Sequence, residues 1–134
     1  MKITDRRKIN FRSQQGQAMT EFALALPILA LLLFAVIQFG IVFNNYVTLT
    51  DATRVGARKG AVGRQVSNPQ PATETAVRKS ATDLTQTKLK VTVTSSWQAG
   101  SDVTVRATYP YSISLLGMVV KSGNLSSSTT ERVE

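Results

Sequence analysis

Between Phe22 and Phe43 the chain is apolar apart from Pro27, Gln38 and Gly40. As a helix this run reaches about 33 Å at about 1.5 Å per residue, enough to cross a bilayer. The run therefore dictates a membrane span, with about 90 residues left for one small domain beyond it. Glu21 stands at the mouth of the run, where its charge meets lipid. A carboxylate at membrane depth costs roughly 2.5 kcal/mol or more, so Glu21 is a functional candidate and needs a positive partner.

The formal charge is +8, which would ordinarily point to phosphate-rich partners. Half of that excess lies before Gln17, in Lys2, Arg6, Arg7, Lys8 and Arg12 against Asp5. Bases ahead of a first apolar segment set its orientation, and the N-terminus is expected to stay cytoplasmic. Arg54, Arg58 and Lys59 beyond the run soften this asymmetry without reversing it. The chain has neither cysteine nor histidine, and its carboxylates form no ligand-spaced cluster. Thiol chemistry is excluded, and no cofactor, metal site or enzymatic activity is expected.

Three kinds of segment combine a basic leader with an apolar run. A cleaved secretory signal has an apolar core of roughly 7–15 residues and a small-residue site on its far side. This core is longer, and Gly40-Ile41-Val42-Phe43-Asn44 is a poor site of that kind. A plain signal anchor accounts for the run but not for Glu21. A prepilin, cut on the cytoplasmic side so that the whole helix stays on the mature protein, accounts for both.

Gly16 followed by Gln-Ala-Met-Thr-Glu-Phe resembles the prepilin-peptidase site of the tight-adherence (Tad, or Flp) pilus system. The wider run from Gly16 through Glu21, Phe22, Pro27, Phe39 and Gly40 to Asn45, Leu49, Ala52, Arg54, Gly56 and Arg58 is similar to the TadE-like pseudopilins. Phe22 where major Flp pilins usually have tyrosine, and a substantial C-terminal region, both favour the pseudopilin over the major pilin. The resemblance implies cleavage between Gly16 and Gln17 by a prepilin peptidase. It also implies that the glutamate of an incoming subunit is matched by the new α-amine of a neighbour. Any other stagger would leave both charges desolvated and alone. Pro27 removes one helical hydrogen bond, so a kink is expected there, and local melting could help a subunit leave the bilayer.

Past Phe43, Leu49, Ala52, Val55, Gly56 and Gly60 keep a spacing of three and four, which continues the helix as a stalk. Ala52, Gly56 and Gly60 make a small-residue stripe that lets another backbone approach closely. Two glycines also weaken a helix by about 1 kcal/mol each relative to alanine, so the same pattern could mark a fraying end. Arg54, Arg58, Lys59 and Arg64 could meet lipid headgroups, acidic pilins or nucleic acid. A solvated face is the plainer reading, because no aromatic residues interleave with them as a single-strand binder requires.

Ser67-Asn68-Pro69-Gln70-Pro71 should end the long helix. Thr73 could cap a short second helix carrying Ala76, Val77, Ala81 and Leu84. Alternation predicts one strand over 89–97, a turn over 98–102 and a second strand from Val103 to Tyr109. Pro110 is expected to end that strand, 113–120 to form an apolar loop or short helix, and 122–124 to turn into a final strand over 125–133. Trp97, Tyr109 and Tyr111 are expected in the core or at its rim.

The expected fold is α+β and pilin-like: a long transmembrane helix extended into the periplasm, a short second helix and a three-stranded antiparallel sheet. Its divisions are a cleaved leader at 1–16, a span at 17–43, a helical stalk at 44–66 and a small domain at 67–134. The resemblance implies a minor pilin in the assembly or initiation of a Tad pilus, held in the bacterial inner membrane with its C-terminus periplasmic. Its implied partners are the membrane, the prepilin peptidase, other pilins and pseudopilins, and the Tad secretion machinery. An unprocessed anchored interaction domain and a DNA-binding minor pilin are the alternatives.

Overall fold

A computed structural model describes residues 11–134, with side chains from Gly16 onward. Most of the expected leader, residues 1–10, lies outside the described residues. Helix α1 runs from Phe11 to Ala61 and is assigned without a break through Pro27. The chain divides into two compact units between Val36 and Ile37.

In the first unit every described apolar side chain from Phe22 to Val36 is exposed. An exposed helix that is apolar all round suits an apolar surrounding.

The second unit is built from the rest of α1, a single 3-10 turn at Gly63–Gln65, helix α2 (Pro69–Ser80) and three strands. These are β1 (Lys90–Ser95), β2 (Asp102–Leu115) and β3 (Met118–Arg132), antiparallel in the order β1-β2-β3. The helices cover one face of the sheet. Leu49, Ala52 and Ala57 of α1 and Val77 of α2 join Val93, Val103, Val105, Ala107 and Tyr109 in the buried core. The other face carries polar cross-strand pairs, Thr104 with Thr130 at 2.9 Å and Arg106 with Ser126 at 3.3 Å. Alternation of apolar and polar residues along β2 is what divides the two faces.

Helix α1 stops at Ala61, ahead of the proline-bearing segment expected to end it. Its last-turn carbonyl at Ala61 accepts from the backbone N–H of Glu134 at 2.9 Å. Gly63 must then pass beneath the Trp97 ring, where a Cβ would lie 2.9 Å from Cζ3. The prolines open α2 instead, Pro69 occupying its first turn where a missing N–H costs nothing. Thr73 is consequently no cap: it is fully buried inside α2, and its hydroxyl donates to the Pro69 carbonyl at 2.8 Å. Past the far end of α2 the Gln86 amide donates to the carbonyls of Ala81 (2.8 Å) and Leu84 (3.2 Å), tying down the turns that follow the helix.

Strand β1 ends at Ser95, and Trp97 takes a left-handed conformation (φ 56°) with its N–H donating to the Ser95 hydroxyl. The expected turn at 98–102 is present, with Gly100 at φ +81° and Ser101 N–H donating to the Gln98 carbonyl. Three expectations for the second half of the sheet are overturned. Pro110 lies within β2 opposite Asn124. Strand β1 pairs only as far as Thr108, so from Tyr109 onward β2 has a free edge, the place where a sheet tolerates proline. Residues 113–120 are the end of a long hairpin, neither loop nor helix, and the chain reverses at Leu116-Gly117, both at positive φ (51° and 83°). Positive φ at both central positions matches the twist of the flanking strands. Gly123, read as a turn residue, sits in β3 because the Tyr111 ring covers it: an added Cβ would lie 3.0 Å from that ring.

Candidate functional site

Gly16, Gln17, Glu21 and Phe22 all lie on α1, where one turn separates Gln17 from Glu21. The Gln17 side-chain amide donates to the Glu21 carboxylate at 3.0 Å, and the Thr20 hydroxyl donates to the Gly16 carbonyl at 2.9 Å. Both contacts are exposed. A Cβ added at Gly16 would meet nothing within 4 Å, so no packing inside the described chain requires glycine there. Glu21 has no basic partner within 4.0 Å among the described residues, and its neighbour Phe22 is exposed.

The small-residue stripe lies in the second unit and is taken up by the chain itself. Ala52 is fully buried, a Cβ on Gly56 would overlap the Val77 side chain, and one on Gly60 would lie 2.8 Å from Val103 Cγ2. These glycines let α1 sit directly on α2 and β2. Of the bases near the stripe, Arg54 stands 3.6 Å from Asp51 with both side chains largely exposed, a pair worth little to stability. Arg58 lines a shallow cleft with Val62, Glu131, Arg132 and the C-terminal Glu134. Lys59 and Arg64 are exposed. Among the described residues Arg54 is the one of the four with an acid within 4.0 Å.

Thr53 carries a contact that spacing alone did not single out. It is fully buried, and its hydroxyl donates to the Thr50 carbonyl at 2.8 Å. With its one proton so used, it accepts from Ser127 (3.2 Å) and Thr129 (3.0 Å) of β3. The run of serine and threonine in β3 was the available signal, since its odd-numbered members share a face.

Residues 16–58 match the family model described as TadE-like protein. This segment of the chain is TadE-like. The match starts at Gly16 and takes in Glu21, Pro27, Ala52, Gly56 and Arg58. The likeness covers about a third of the chain, and α1 is long and apolar enough to serve as a single-pass membrane anchor. Comparison with curated proteins gives no match, and comparison with solved structures gives none. The TadE-like segment ends within α1, so the α2 and sheet portions lie outside the matched residues.

Proposed function

We propose that this chain is a TadE-like pseudopilin, inserted as a prepilin, cut after Gly16 by a prepilin peptidase, and used in assembly or initiation of a Tad pilus. The observation that carries the proposal is the family match beginning at Gly16, the residue that would precede the cut. Glycine at that position leaves the scissile peptide unshielded by a side chain and lowers helix propensity there by about 1 kcal/mol relative to alanine, easing local opening.

After cleavage the Gln17 α-amine would lie one turn from Glu21, at the level of the helix where lipid begins. An amine of a neighbouring subunit would neutralise Glu21 in one stagger only, which turns the cost of an unpaired charge into a rule for stacking. The work is packing and recognition; no catalytic role is assigned.

A second reading, an unprocessed anchored domain, draws on the Gln17–Glu21 hydrogen bond, which gives the carboxylate a partner without any cut. The intact mass of the protein extracted from membranes, with and without the peptidase, separates the two. Loss of residues 1–16 only in the presence of the peptidase supports the pseudopilin, and a retained leader supports the anchor. The DNA-binding reading, through Arg54, Arg58, Lys59 and Arg64, is dropped if the purified protein shows no salt-dependent affinity for DNA.

A further inference from the structure

The end of the β2–β3 hairpin is the most exposed apolar surface of the second unit. Leu116, Met118, Val119 and Val120 are 77, 70, 64 and 63 % exposed. The register slips between Ile113 and Ser114, leaving Val120 without a partner across the ladder. A bulge of this kind twists and re-aims the end of a ribbon.

The position of that end follows from the contacts between α1 and the sheet. Val103 lies against Gly60, and Val105 lies against Gly56. Strand and helix therefore run in opposite directions, two strand residues (about 6.7 Å) keeping pace with four helix residues (about 6 Å). Thr53 against Ser127 and Thr129 agrees with this alignment, because those two stand opposite Ala107 and Val105. Continued at the same pace, Tyr109 comes level with Leu49, and both are buried. Ile113 then comes level with about residue 40 of α1. The burial along α1 confirms that something covers it that far. Gln38, Val42 and Asn45 are half-buried, in line with buried Leu49 at spacings of three and four, while Phe39, Gly40, Ile41 and Phe43 are exposed. Tyr111, Ile113 and Leu115, the half-buried side chains of the hairpin's inner face, are the complement.

Residues 38–43 belong to the apolar run that crosses the membrane. We propose that the hairpin end, Leu115–Val120, enters the lipid of the leaflet on the domain's side, beside the emerging helix. Lipid acyl chains are the occupant because the same stretch of α1 that the hairpin accompanies is itself lipid-facing on its remaining sides. Lys121 follows immediately, placed to keep its ammonium at headgroup level while its stem lies along the apolar end. The small domain is then held against the membrane at two points, the helix and the hairpin. This inference rests on α1 spanning a bilayer and is independent of cleavage.

The chain has no cysteine, so single spin labels can be placed without background. The full chain is reconstituted in phosphatidylethanolamine–phosphatidylglycerol vesicles with labels at Leu116→Cys, Met118→Cys, Ser128→Cys on the polar sheet face, and Leu29→Cys within the span. Labels at 116 and 118 are expected to collide with oxygen dissolved in lipid and be shielded from a water-soluble nickel chelate, at a depth of roughly 5–10 Å below the headgroups. The label at 128 is expected to show the reverse. Should 116 and 118 behave like 128 while 29 lies in lipid, the hairpin proposal fails and the span stands. If 29 is also water-exposed, both fail. Labels at 116 and 118 closed to both reagents would mean that protein covers the hairpin, which also overturns the proposal.

Discussion

Thr53 ties α1 to β3 through one buried hydroxyl, and its removal tests how much the long helix relies on the sheet. Thr53→Val keeps the volume but strands the Ser127 and Thr129 hydroxyls, so a loss of about 1–3 kcal/mol is expected in urea unfolding of the detergent-solubilised chain. Thr50→Val, which removes only an exposed bond to the Tyr46 carbonyl, is expected to stay within about 0.5 kcal/mol. The glycines of α1 divide in the same way. Gly56→Ala forces a Cβ into Val77 and should cost about 1–3 kcal/mol. Gly40→Ala meets nothing among the described residues and should leave the unfolding midpoint unchanged or slightly raised. At Glu21 the expected effect is on association: Glu21→Ala should insert normally and assemble poorly, read as membrane-fraction abundance against pilus yield.

Hairpin β2–β3 is where reading the sequence and reading the structure part most. The apolar run, the small-residue stripe and the alternation in β1 and β2 were legible because each follows a local period. Proline and glycine were misread as punctuation. Pro110 and Gly123 sit inside strands for reasons found only in three dimensions: β1 stops short of Pro110, and the Tyr111 ring occupies the space a side chain at 123 would need. The true reversal at Leu116-Gly117 offered a weak local signal, since leucine is not a residue expected at positive φ. Trp97 was placed on a strand by parity, although its ring is held over Gly63 by a left-handed turn that parity cannot reveal. Gly117→Val tests the reversal directly. A β-branched residue at φ +83° should cost about 1–3 kcal/mol locally, seen as faster amide exchange over 113–121 with the core around Val103 and Val105 unchanged.

The assembled chain joins a helical segment that is apolar on every side to a small sheet domain built on the same helix, and the matched segment, residues 16–58, covers all of that helix but its two ends. Much of the candidate site was legible because it is a linear motif: Gly16, Gln17, Glu21 and Phe22 depend on spacing along one helix and on nothing distant. What the motif could not convey was the fate of the stripe at Ala52, Gly56 and Gly60, which packs on the chain's own α2 and β2. The proposed recognition between subunits rests on the helix near Glu21. That assignment requires a new amine on Gln17, so the decisive measurement is the intact mass of the protein purified from membranes of a host with an active prepilin peptidase. A mature chain beginning at Gln17 is the expected result, and a chain still carrying residues 1–16 would contradict the account.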